Sequence, residues 1–196
     1  MTLRGFLFLI AAALPLLLVP PQEPERILSQ EDIAERFRRE EGLRLSPYDA
    51  LIRASADSIG WDWRLVAAMI YHESRFNSEA HSDKGATGLL QIHSSRYEED
   101  TLLDPETNLA IGTRYLKKLG RMFEAATPLD TLKFALAAFN LGDGNVKSLR
   151  ARTLASGEDA TRWEIVSRQL PAGHHTTAYV RDVLHTYDEY RRKYPR

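Results

Sequence analysis

The 196 residues contain no cysteine. That excludes thiol nucleophiles, thiolate metal sites and disulfides together. An excess of either charge is also missing: 26 Lys and Arg stand against 27 Asp and Glu, for a formal net charge of -1. No global basic field favours nucleic acid or an anionic lipid surface, so an anionic ligand has to be met by local groups. Behind the N-terminus there is no sustained period-two alternation, no internal repeat and no low-complexity tract. What is there, 43% hydrophobic and 27% charged residues, is material for one domain with a sizeable core.

One long apolar run exists, "GFLFLIAAALPLLLV", with Arg4 before it and "PPQEPE" after it. At a rise of ~1.5 Å per residue it reaches about two-thirds of a ~30 Å hydrocarbon core, and Pro15 interrupts it. The pattern is that of an export signal. A small-x-small site occurs within Ala11–Ala13, yet the apolar run continues past it, so cleavage and retention as an anchor both stay open. Residues 1–22 are therefore read as a signal peptide or short N-terminal anchor, and membrane contact is expected only through this segment if it is uncleaved. Residues 23–45 read as a linker and spacer helix, with Ser29 and Asp32 opening a charged stretch that Gly42 closes.

From Ser46 onward the chain repeats one signal, a capping residue followed by proline: Ser46-Pro47, Asp104-Pro105 and Thr127-Pro128. Each is expected to start an amphipathic helix. Gly60 should end the first, Asp62 should cap the next, and Gly120 or the turn before Thr127 should end the helix carrying Leu109, Leu116 and Leu119. A last helix, about 176–192, carries Tyr179, Val180, Val183, Leu184, Tyr187 and Tyr190 on one stripe. The expected class is all-α. The longest irregular segments, Phe76–Ala86 and Ser94–Leu103, are expected to be functional loops.

In the helix expected from Trp63 to Ser74, the residues Leu65, Val66, Met69 and Ile70 spread over one face, and Glu73 falls near its middle. It also stands in the last turn, where the helix dipole disfavours negative charge. Burial and dipole both raise a carboxyl pKa, which suits a general acid near neutral pH. Periodicity alone leaves two other readings open: a glutamate that reaches solvent, or one neutralised by an arginine from elsewhere. A metal reading fails at once. His72-Glu73 resembles the start of an H-E-x-x-H motif, but position 76 is Phe. His174-His175 reads as a loop feature.

Onward from Glu73 the chain runs "ESRFNSEAHSDKGATGLLQI", followed by "DPETNLAIGTRYLKKL", "ALAAFNLGDGNV" and "AYVRDVLHTY". These four blocks, in this order, resemble the soluble lytic transglycosylase (SLT) domain, related in fold to goose-type lysozyme. The first resembles its E-S and G-A-x-G-L-M-Q-I signature, the third its A-Y-N-A-G-x-G-x-V turn. The resemblance implies a lysozyme-like helical domain with a substrate cleft over residues 46–196. It implies cleavage of the β-1,4 bond between N-acetylmuramic acid and N-acetylglucosamine, with formation of a 1,6-anhydro ring and without a cofactor or metal. Glu73 matches the single catalytic acid/base. Ser74, Ser82, Gln91, Asn140 and Tyr179 match positions expected to bind substrate: Ser74 through the helix end, Ser82 near the glutamate or the muramyl sugar, and Gln91 on the glycan with Gly88 allowing close approach. Asn140 would hold an acetamido group or brace the glutamate loop, and Tyr179 would present its hydroxyl to the cleft. The implied partner is the peptidoglycan glycan strand, met in the periplasm or cell envelope of a bacterium. The small size, without a recognisable further wall-binding module, suits recruitment by an envelope-spanning protein complex.

The sequence departs from the family pattern at Leu90, Phe139 and Leu141, which conserve volume, and at His93-Ser94, where an apolar residue and proline are usual. Subsite preference is open there. Two rivals remain: a hydrolase on the same scaffold, with Glu79 or Asp83 positioning water, and a non-catalytic peptidoglycan-binding scaffold.

Overall fold

The computed structural model describes residues 42–93 and 97–194. The export segment, all but the last residues of the linker and spacer helix, and Ser94 lie outside them. Within the described residues the order is α1 (Asp49–Ile59), α2 (Trp63–Ser74), β1 (Ala86–Thr87), β2 (Ile92–His93), α3 (Glu99–Leu103), α4 (Pro105–Met122), α5 (Pro128–Leu141), α6 (Asp143–Ala155), α7 (Trp163–Val166), a 3-10 turn (Ser167–Gln169) and α8 (His175–Lys193).

The helix starts follow their caps. Asp62 accepts from the Arg64 amide, Asp104 from Thr107 and Thr127 from Asp130, each satisfying an N–H that the first turn leaves orphaned. Ser46-Pro47 works differently from expectation. Helix α1 starts two residues later, at Asp49, whose carboxylate accepts from the Leu45 and Ser46 amides and the Ser46 hydroxyl. The cap there is an acid reaching back. Gly60, with φ of 74°, ends α1 as expected. Gly120 ends nothing: α4 continues to Met122, and a Cβ at Gly120 would stand 3.0 Å from the Trp61 ring. Its missing side chain makes room for tryptophan.

α2 is the central helix. Trp63 to Ile70 are all buried, a wider face than the four-residue stripe that periodicity marks. Each such aliphatic side chain contributes about 1.5–3 kcal/mol by burial. α2 packs on α8, with α5 against α8 and α1 and α4 completing the shell. The α2–α8 seam is antiparallel and carries polar ties along its length. His72 Nε2 lies 2.9 Å from Thr186 Oγ1, Tyr187 donates to Asp62 at 3.1 Å, and buried Arg64 donates to the Tyr194 carbonyl at 3.0 Å.

The only paired strands among the described residues are the two-residue β1 and β2, antiparallel, with Ala86 opposite His93 and Thr87 opposite Ile92. They are too short to show a period in sequence. The expected loop Ser94–Leu103 contains α3, five residues long. The class is all-α with this small hairpin as an insert.

Candidate active site

α2 delivers Glu73 one residue before its end. Arg75 and Phe76 follow with φ of 53° and 61°, two non-glycine residues in left-handed backbone. Such conformations cost of order 1–3 kcal/mol each and persist only when the surroundings enforce them. Here the Arg75 guanidinium lies 3.9 Å from the Tyr71 ring centroid, and Phe76 packs on the core. The chain therefore reverses within two residues of the carboxyl and runs into the hairpin loop.

Glu73 is partly buried, and Tyr179 from α8 donates a 2.6 Å hydrogen bond to its Oε1. Burial raises the carboxyl from an ordinary 4.5 to about 7, and the Tyr179 bond, which favours the carboxylate, offsets part of that rise. Burial, and the neighbouring Glu73 charge, push the Tyr179 phenol well above 10, so it stays a donor. Of the two readings left open beside catalysis, the arginine partner is not what the structure places on this carboxyl: its side-chain bond is to a phenol.

The other expected site residues take distinct places. Ser74 is 8% exposed and its hydroxyl donates to the Ile70 carbonyl at 3.3 Å. Its geometry fits the helix-end role, with the hydroxyl engaged on its own helix. Ser82 is partly exposed and closes the turn after α2, its Oγ accepting from the Ala86 amide at 2.9 Å. Gln91 sits at a φ of 47°, and its amide nitrogen donates to the Ala80 and Gly88 carbonyls, both at 3.0 Å. That clamps the loop, and only the amide oxygen is left to face a ligand. Asn140, at the end of α5, accepts from the Thr176 hydroxyl at 2.8 Å, which leaves its NH₂ group turned the other way.

Asn108 is the organising residue that local sequence logic passed over. It is fully buried in α4, accepts from the Leu90 amide at 2.9 Å, and donates to the Thr87 and Leu102 carbonyls, both at 2.9 Å. One side chain thus ties the hairpin loop and α3 to α4. Gly88 serves this tie: a Cβ there would meet Asn108 Nδ2 at 2.3 Å and the Leu102 carbonyl at 2.4 Å. The close approach expected at Gly88 is made to Asn108. The signal was available, since Asn108 shares the stripe of Gly112, Leu116 and Leu119 and is the polar residue on it, as Glu73 is on α2.

His72 turns away from Glu73's partner and engages Thr186. Glu79 and Asp83 are exposed, and the influences that set the Glu73 pKa are burial and Tyr179. A surface hollow of about 630 Å³ lies around Trp61, Leu65 and Leu132 at the opposite end of α2, not at Glu73. The chemistry of Glu73 thus rests on its immediate neighbours.

The sequence matches the family described as "Transglycosylase SLT domain" over residues 50–161, more than half of the chain. It is 36% identical to the membrane-bound lytic murein transglycosylase F of Desulfosudis oleivorans over 141 residues, covering 70% of this chain and 31% of that protein. It is 36% identical to the protein of the same description from Maricaulis maris over 144 residues, covering 71% of this chain and 31% of that one. The chain thus spans less than a third of the length of these curated relatives. In structure it is similar to an inactive glutamate-to-glutamine mutant of the lytic transglycosylase Slt from Pseudomonas aeruginosa, with a TM-score of 0.60 and 25% identity over 75% of this chain and 24% of that one. It is also similar to the 70 kDa soluble lytic transglycosylase of Escherichia coli, with a TM-score of 0.60 and 28% identity over 82% of this chain and 26% of that one. A half-buried glutamate at the end of a central helix, held by a tyrosine from the last helix, therefore sits in a chain that belongs to the transglycosylase SLT domain family.

Proposed function

We propose that this chain is a peptidoglycan lytic transglycosylase in which Glu73 alone supplies and recovers the proton. The observation that carries this reading is the 2.6 Å bond from Tyr179 to one oxygen of the partly buried Glu73, whose carboxyl is pushed up to about 7 by that burial. With Oε1 accepting from the phenol, the proton of the neutral acid sits on Oε2. From there it passes to the glycosidic oxygen as the bond from muramyl C1 breaks, and the N-acetylglucosamine side leaves as an alcohol. The resulting carboxylate takes the proton of the muramyl 6-hydroxyl, whose oxygen closes on C1. The acid is regenerated, the product ends in a 1,6-anhydro ring, and water is not consumed. The substrate's acetamido group shields the cationic carbon, a task that most glycosidases give to a second carboxylate.

Around this centre, the Asn140 NH₂ group is oriented by Thr176 to receive an acetamido carbonyl. The Ser82 hydroxyl proton and the Gln91 amide oxygen face the sugar from the loop, while Ser74 fixes the helix end. Residues 1–22 serve as a signal peptide or short N-terminal anchor, residues 46–196 carry the enzyme, and the site of action is the bacterial envelope. Names of relatives that describe membrane-bound murein transglycosylases agree with that placement. An envelope-spanning complex is the partner we assign for recruitment.

Mass spectrometry of digested sacculi tests the reading. Wild type should yield anhydromuramyl ends that resist borohydride, and Glu73→Gln should yield none while still binding sacculi. Reducible ends from wild type would establish the hydrolase instead, and intact cleavage by Glu73→Gln would remove the glutamate from the mechanism.

A further inference from the structure

Between α1 and α4 the surface is hollowed into a trough. Two depressions of about 410 and 630 Å³ share Ile59 and Lys117 and so run into one another. Leu51 and Ile59 give the first an apolar floor, and Trp61, Leu65 and Leu132 give one to the second. Small residues keep the trough open. Its α1 wall carries Ala54, Ser55 and Ser58, and Gly120 on α4 lacks the Cβ that would stand 3.0 Å from the Trp61 ring.

The α4 rim is basic. Arg114, Lys117 and Arg121 recur at i, i+3 and i+7, which places them on one helix face over about 10 Å, and all three line the trough. Lys117 spans it, donating to the Ser58 carbonyl at 3.4 Å. None of the three forms an ion pair among the described residues. The acids that border the trough leave the stripe unneutralised. Asp62 is taken by Arg64 and Tyr187, while Glu106 and Glu124 stand at the two ends and pair with no cation among the described residues. Along the trough the charge therefore runs negative, positive, negative. In a chain of net charge -1, three unpaired cations in a row beside unfilled apolar surface define a complement: an apolar face flanked by acids at its centre.

We propose that the trough between α1 and α4 docks an acidic amphipathic helix of a partner protein. Its apolar side would lie on Ile59 and Trp61, and its central carboxylates would pair with Arg114, Lys117 and Arg121. A helix carrying acids at i, i+3 and i+7 matches the stripe residue for residue, and a straight channel beside α4 accepts a rod. An anionic bilayer fits less well, because a flat surface cannot enter the depressions and would meet Glu106 and Glu124 with like charge. The trough lies at the start of α2 and Glu73 near its end, roughly 16 Å away along the helix, so a docked partner leaves the carboxyl uncovered. The inference stands apart from the reaction at Glu73.

Calorimetry on the full chain tests it with four probes: helical peptides bearing Glu at i, i+3 and i+7 opposite a leucine face, the same peptides with Lys for Glu, the same composition with the phase scrambled, and phosphatidylglycerol vesicles. Two variants alter exposed positions only, Arg114→Ala/Arg121→Ala for the charge and Ala54→Gln/Ala110→Gln to fill the first depression. Wild type should bind the acidic helical peptides, each variant should bind them at least about tenfold more weakly, and the Lys peptides should not bind. Binding should also weaken as salt is raised. No binding of the acidic helices, equal binding of the scrambled peptides, or unchanged affinity in both variants overturns the proposal. Vesicle binding that the Arg variant abolishes, without peptide binding, assigns the stripe to a membrane instead and overturns it equally. Circular dichroism confirms that both variants fold, and because binding is read without cleavage, the outcome is separate from that of the Glu73 reaction.

Discussion

Tyr179 and Glu73 are separated by 106 positions in the chain and by 2.6 Å between the phenol and the carboxyl. The phenol acts on the acid in one direction only: it favours the carboxylate against burial, which disfavours it. Tyr179→Phe removes the first influence and leaves the second. The Glu73 pKa should then rise above about 7, and the alkaline limb of the pH profile of kcat/KM should move to higher pH. With Oε1 unheld, kcat should fall roughly tenfold, the rate equivalent of one hydrogen bond to a charged group. An unmoved alkaline limb would mean that another group sets the profile.

Glu73 also costs the fold stability, with a definite pH dependence. Its folded pKa of about 7 exceeds the ordinary 4.5, so between those values the folded chain holds a proton that the unfolded chain has released. Stability from this group is fully present below 4.5 and declines as pH rises to about 7. The total change is about 1–3 kcal/mol, discounted for the partial exposure of the side chain. Glu73→Gln should lack this decline. Thermal unfolding of the two proteins should give similar midpoints near pH 4.5 and a higher midpoint for the variant above pH 7.

Asn108 stitches three backbone groups to α4. Asn108→Ala orphans them in a dry interior and should cost about 2–4 kcal/mol in urea unfolding. Gly88→Ala should be as damaging, because it meets both Asn108 and the Leu102 carbonyl and needs a φ of 78°. Making both changes should not restore stability, since the carbonyl clash at 2.4 Å remains. Rescue in the double variant would show that the loop can move aside.

Arg64 is 5% exposed, with its guanidinium on Asp62 and the Tyr194 carbonyl. Arg64→Ala leaves that carbonyl unpaired and Asp62 without its cation, and should destabilise by about 3–5 kcal/mol. The loss should be largest at the end of α8, visible as faster amide exchange of Tyr190 to Tyr194.

Local chemistry was legible in the sequence wherever the partner was local. Asp62, Asp104 and Thr127 cap as their spacing implies, because a cap reaches only two or three residues ahead. Ser46 misled because Asp49, three residues on, offered the backbone a stronger acceptor. Glu73 stood out by period alone. What stayed hidden was long range: the Tyr179 bond to Glu73, the Thr176 bond to Asn140 and the clamps of Gln91 and Asn108 all depend on which segments meet. For Gln91 no local pattern distinguishes a residue that binds glycan from one that holds its own loop.

Synthesis reaches α2, which carries Glu73, long before α8, which carries the phenol that completes the acid. Before α8 docks, Glu73 has neither its phenol nor much of its cover, and its carboxyl ionises at neutral pH like any open glutamate. On the proposed reading the acid is not ready until α8 is in place. Under the proposed function, the order of assembly thus doubles as a safeguard: a copy in which α8 has not docked has the carboxyl but not the proton.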